Sequence, residues 1–156
     1  MKLTNSSGES IELHVVGYEH PDDELGPTED NPADDFDPGR FLIVTVAAKA
    51  RGRSWDGTGA YLDTVELNRF ANWLESIRRG QPSHYGIYFT EREMAWSVNY
   101  PLTELTVFLW HDLQPPWWDD LNSLPIDFSL TEIDLRDAIR SLRQQALKFP
   151  GLPWPN

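Results

Sequence analysis

The chain has 156 residues, no cysteine, and 25 Asp and Glu against 13 Lys and Arg, a formal net charge of -12. The missing cysteines exclude disulfides, thiolate metal sites and a cysteine nucleophile, and the charge repels nucleic acid and anionic membranes while favouring encounter with a basic partner. A single domain of this length buries roughly 68 to 70% of the surface its unfolded chain exposes, so a core needs no staples.

The opening MKLTNSSGES has no apolar run of signal-peptide length, and no stretch approaches the ~20 apolar residues of a membrane helix, so a soluble, cytoplasmic protein is expected. Lys2 to Thr4 reads as a short edge strand, turned by Asn5-Ser-Ser-Gly8 into a strand from Ser10 to about Glu19, where Ile11, Leu13 and Val15 alternate with Glu12 and His14. The segment from His20 to Gly39 follows. It carries Asp22, Asp23, Glu24, Glu29, Asp30, Asp34, Asp35 and Asp37 with no Lys or Arg, and its composition predicts a self-repelling loop. Asp35-x-Asp37-x-Gly39 matches the start of a calcium loop, but an EF-hand begun at Asp35 would put Val46 where a bidentate Glu is required.

Arg40 to Arg51 alternates Phe41, Ile43, Thr45 and Ala47 with Leu42, Val44, Val46 and Ala48, which predicts a central strand covered on both faces. Arg51-Gly52-Arg53 is a turn. Ser54 to Tyr61 resumes as a strand in which Gly57 and Gly59 suggest a bulge or bend. Asp63 and Glu66 form a capping-box pair, and Leu67, Phe70, Ala71, Leu74 and Ile77 make a helical stripe that ends at Arg78-Arg79-Gly80. Tyr85 to Thr90 and Met94 to Tyr100 read as a hairpin.

From Glu104 to Leu113 the alternation predicts a strand with Leu105, Val107, Leu109 and His111 on one face and Thr106, Phe108, Trp110 and Asp112 on the other. Pro115 and Pro116 must leave the sheet, so Trp117, Trp118, Asp119 and Asp120 stand together in a loop. Ile126 to Leu130 can pair back as a strand, and Thr131, with Asp134 three residues on, is read as the N-cap of a closing helix that stops at Pro150-Gly151. The order predicts an α+β fold: a curved, mainly antiparallel sheet with two helices packed on one face, in one domain over residues 1–156 with the acidic loop 20–39 inserted between strands.

No G-x-S-x-G elbow, P-loop or G-x-G-x-x-G is present, and His14, His20, His84 and His111 are scattered without metal-ligand spacing, so no catalytic residue, metal or cofactor is expected. A metal-dependent enzyme using His20 or His111 with nearby carboxylates is one rival reading; a ligand-binding or interaction module with a pocket near the tryptophan turn is another. Trp117 and Trp118 admit two arrangements. One ring can roof the core while its neighbour faces outward as an interface anchor, or both can cap the sheet end with Asp119 and Asp120 held as turn residues. Trp73 and Trp96 are expected in the core, and Trp154 in the tail is expected to tack the C-terminus to the body.

Several segments together resemble the WapI family of small bacterial immunity proteins. They are Ile11 to Pro21, Arg53-Ser54-Trp55, the helix Glu66 to Gly80 with Asn72-Trp73-Leu74, Phe89-Thr90-Glu91, Leu113-Gln-Pro-Pro-Trp-Trp-Asp-Asp120, Ile126 to Leu130, and Lys148-Phe149-Pro150. The chain departs from the family pattern in the length and acidity of residues 20–39 and in Arg40-Phe41-Leu42. The resemblance implies a non-catalytic protein that binds and blocks a cognate toxin domain, and a basic nuclease domain would suit the charge. On that reading Asp34, Asp35 and Asp37, with Trp117, Trp118, Asp119 and Asp120, are the partner-binding residues. Nucleic acid and membrane are not expected as partners, and the oligomeric state stays open.

Overall fold

A computed structural model describes residues 1–20 and 40–151. The acidic segment with Asp34, Asp35 and Asp37, its calcium-like stretch, and Trp154 therefore lie outside the described residues. The fold is α+β, with every strand pairing antiparallel. The strands are divided between two four-stranded sheets instead of forming one curved sheet. The first contains β1 (Lys2–Thr4), β2 (Ser10–Tyr18), β3 (Phe41–Ala50) and β4 (Arg53–Asp63) in that order; the second contains β5 (Gly86–Tyr88), β6 (Met94–Val98), β7 (Glu104–Leu109) and β8 (Leu124–Ser129). Between them runs α1 (Thr64–Arg78), and α2 (Leu135–Lys148) closes the described chain.

Local chemistry explains most of these elements. The β3–β4 hairpin turns at Arg51 (φ 51°) and Gly52 (φ 75°), and positive φ at both central residues is the turn that matches strand twist. Asp63 accepts from the Glu66 amide while Glu66 accepts from the Asp63 amide, the reciprocal cap expected from sequence. Glu66 does more than cap. It is buried and also accepts from the Thr90 amide (2.6 Å) and hydroxyl (2.9 Å), which ties the start of α1 to the loop after β5. At the other end Gly80 takes φ 73° after the Arg79 cap, a conformation that favours glycine.

Each sheet buries one face. On β3, Leu42, Val44, Val46 and Ala48 are buried while Phe41, Ile43, Thr45 and Ala47 are only half-buried, so the expectation of two covered faces is corrected. The buried faces share one hydrophobic core with the helices. Phe70 of α1 packs on Trp96 of β6 at 5.1 Å and on Phe89 at 5.5 Å, and the two helices pack against each other. Toward the first sheet, Gln145 of α2 accepts from the Val15 amide, and Phe149 meets Tyr18 edge to face.

Three further boundaries differ from expectation. Strand β7 ends at Leu109, because Trp110 leads into a 3₁₀ turn (His111–Leu113) with His111 at φ 44°; the chain leaves the sheet before the prolines, and His111 does not share the inward face. Helix α2 is capped by Asp134, which accepts from the Arg136 amide, while the Thr131 hydroxyl is engaged with Ser129. Gly57 and Gly59 mark no bulge. The register shift in β4 falls after Ala60, and the glycines are explained by close approach: a Cβ at Gly57 would stand 2.8 Å from Leu113 Cδ2, and one at Gly59 would stand 2.8 Å from the Tyr61 ring. Among the described residues no helix is long and apolar enough to cross a membrane.

Candidate functional site

The connection from β7 to β8 carries the tryptophan pair and reaches across to the first sheet. Leu113 sits on the bare backbone of Gly57, and its carbonyl accepts from Trp55 Nε1 at 2.8 Å. Trp55 is 8% exposed, and its ring meets Trp117 edge to face at 5.2 Å. The hairpin tip supplies two cations, with Arg53 lying 4.7 Å from the Trp117 ring centre and Arg51 lying 4.6 Å from that of Trp118. Such stacking satisfies both partners, since the ring face is electron-rich and the guanidinium is planar.

Hydrogen bonds then close the loop on itself. Gln114 Nε2 donates to the carbonyls of Trp118 and Asp120, Trp118 Nε1 donates to the Asn122 carbonyl at 2.7 Å, and Asp120 Oδ1 accepts from the Asn122 amide and side chain. Trp117 and Trp118 are both half-buried and packed against the core. Asp119 and Asp120 are exposed beside them.

The histidine and carboxylate groups do not converge on this loop. His111 Nδ1 lies 3.4 Å from Glu93 Oε1, and Glu93 Oε2 accepts from the Asp112 amide. Behind them, burial, with a smaller push from the carboxylates of Asp112 and Glu93, raises the Tyr61 phenol above its ordinary value of 10.0 and keeps it protonated. His20 sits near Glu19, and His84 pairs with Ser83. Among the described residues no three His, Asp or Glu side chains are placed to hold a metal ion.

Charge is unevenly distributed along the chain. All thirteen Lys and Arg and seventeen of the acidic residues lie within residues 1–20 and 40–151, so segment 21–39 supplies eight of the twelve net negative charges. A different surface feature escaped the sequence reading. Phe108 and Trp110 point to the outer face of the second sheet and stack on each other at 5.9 Å, with Tyr88, 72% exposed, on the same face. The signal in the sequence is the second alternating set, Thr106, Phe108 and Trp110, whose face the alternation alone does not show to be open.

No curated protein and no solved structure matches the chain. A family model does, described as the Immunity protein WapI-like family, and it spans residues 2–150, from the first strand through the tryptophan turn to the end of the closing helix. The chain belongs to the WapI-like immunity protein family, whose description implies a role in immunity to a toxin.

Proposed function

We propose that this chain neutralises a cognate bacterial toxin domain by binding it one to one, without catalysis, and that the toxin domain is basic, as a nuclease must be to hold phosphate. Family membership over residues 2–150 carries the reading, and the acidic balance supports its finer part. Asp34, Asp35 and Asp37 supply long-range attraction, and Asp119 and Asp120 add carboxylates at the rim of the Trp117 and Trp118 turn. Blocking then consists of occupying the surface that the toxin would offer its substrate.

The test is a titration of the purified chain into the toxin domain encoded beside its gene. A one-to-one complex with loss of toxin activity at equimolar ratio is expected, and absence of a complex would overturn the reading. Replacing Asp34, Asp35 and Asp37 with Asn together should slow association about tenfold at low salt and flatten its salt dependence, because steering charges act on the approach. Association kinetics identical to those of the parent chain would remove the segment from the encounter.

A further inference from the structure

We infer that the apolar anchor for the toxin is the outer face of the second sheet, built on Tyr88, Phe108 and Trp110, and that it receives a protein surface presenting lysine or arginine. The partner's identity as a toxin rests on the immunity reading above; the location rests on geometry. The inward positions of β7, Leu105, Val107 and Leu109, are buried in the core, whereas Phe108 at an alternate position, and Trp110 just past the strand's end, stack on each other on the outer face, each half-buried. Across the sheet, Phe108 pairs with Ala95, which pairs with Tyr88. Tyrosine and tryptophan supply large contact area at small loss of side-chain freedom, which is why they dominate binding hot spots. The β5–β6 hairpin also exposes Tyr85 and Tyr100 at its other end, in edge-to-face contact.

A depression of about 510 Å³ opens beside these rings, lined by Tyr88, Phe89, Met94, Ala95, Trp110 and the edge residues Arg92 and His111. Its apolar floor next to exposed rings suits one inserted side chain. Charge selects the occupant. The outward positions of the second sheet's strands include Glu104 and Asp127 and no Lys or Arg; the adjoining turns add Glu91, Glu93 and Asp112 against Arg92, and Arg69 donates to the Tyr88 carbonyl at 2.7 Å, so carboxylates outnumber cations here. The Thr106 hydroxyl donates to one oxygen of Asp127 at 2.7 Å, and Asp127 is exposed. A lysine or arginine arriving here gains both a ring face and a carboxylate.

Nucleic acid would meet like charge on this face, and a second copy of the chain would bring two acidic faces together. Four strands of three to six residues, about 4.8 Å apart, present roughly 300 Å², against about 800 Å² per partner in a stable complex. The face is thus the centre of the contact, with the surrounding acidic turns as its rim. Trp117 and Trp118 serve this centre less well, since their rings are already spanned by Arg53 and Arg51.

Calorimetric titration with the toxin domain encoded beside the gene tests the assignment on the parent chain and on Tyr88→Ala, Trp110→Ala and Glu104→Lys. Tyr88 and Glu104 are exposed, so those two variants keep the fold even if Trp110→Ala does not. Expected are at least a tenfold loss of affinity for Tyr88→Ala, a larger loss for Trp110→Ala, and about a tenfold loss for Glu104→Lys, mostly from slower association. A parent chain that binds while Tyr88→Ala and Glu104→Lys stay within twofold of it overturns the anchor and leaves the immunity reading intact. A parent chain that forms no complex fails the immunity reading itself. A dimer in sedimentation that Tyr88→Ala dissolves reassigns the face to self-association and overturns the proposal.

Discussion

Two aromatic regions lie on either side of Leu113, and they are built to opposite specifications. In the tryptophan turn, the indole N–H groups of Trp55 and Trp118 both donate to backbone carbonyls, and Trp117 and Trp118 are each covered by an arginine from the β3–β4 tip. On the outer face of the second sheet, Phe108 and Trp110 have, among the described residues, only each other as ring partners, and Tyr88 is largely in water. Ring count does not separate an interface from a structural clamp. The separation comes from whether ring faces and donors already have partners, because a side chain that has exchanged its water for protein contacts has less to gain from a second surface.

The contrast can be broken most forcefully at Trp55. Trp55→Ala removes a buried ring, its hydrogen bond to the Leu113 carbonyl and the edge contact with Trp117, and a loss of about 3–5 kcal/mol in urea unfolding is expected. Affinity of the fraction that remains folded should stay near that of the parent chain. If affinity instead falls in step with stability, the clamp and the binding face are one unit and the distinction fails.

A smaller change sharpens the same point. Gly57→Ala adds one methyl against Leu113 Cδ2 at 2.8 Å, the Asp112 carbonyl at 3.1 Å and the Tyr61 hydroxyl at 3.2 Å, so the two side-chain ends must shift while the backbone carbonyl stays. The cost is expected at about 1–3 kcal/mol, as for an overpacked core, with toxin affinity unchanged. A neutral result would mean that the turn can lift from β4, and Leu113 would then not be what joins the two sheets.

What could be read from the chain divides along the range of the causes. The Asp63 and Glu66 cap, the Arg51-Gly52 turn and the stripe of α1 depend on residues within a few positions, and each was legible. Gly57 looks like a bulge position in sequence, yet its reason is Leu113, 56 residues away, and not a local bulge. The division into two sheets depends on α1 carrying the chain away from β4, which hairpin patterns do not encode. His111 ends β7 with a positive φ that its residue type does not announce. In the candidate site, the Pro-Pro-Trp-Trp run drew attention through its rarity, while Tyr88, Phe108 and Trp110 looked like ordinary strand alternation. Alternation says which residues share a face and is silent on whether anything covers it.

The smallest expected effect lies on a third surface, which gives the comparison its control. Glu75 on α1 is bound by Arg78 and Arg79, each within 2.8 Å, and those hydrogen bonds hold its carboxyl well below the ordinary 4.5, at about 2. A depressed carboxylate contributes stability that is present above its unfolded value, near 4.5, and is lost as the pH falls from there through about 2. Glu75→Gln should therefore flatten the decline of the urea midpoint over that window, and parallel curves for the two chains would show that the cluster does not couple to folding. Arg136, Arg140 and Arg143 of α2 stand beside Glu75 and Arg78, so this helical side is basic and would repel the partner that the acidic sheet face attracts. Removing the Glu75 charge makes it more so. Toxin affinity at pH 7 should then stay level or fall slightly, and a clear increase would place the helices at the interface and turn the molecule around.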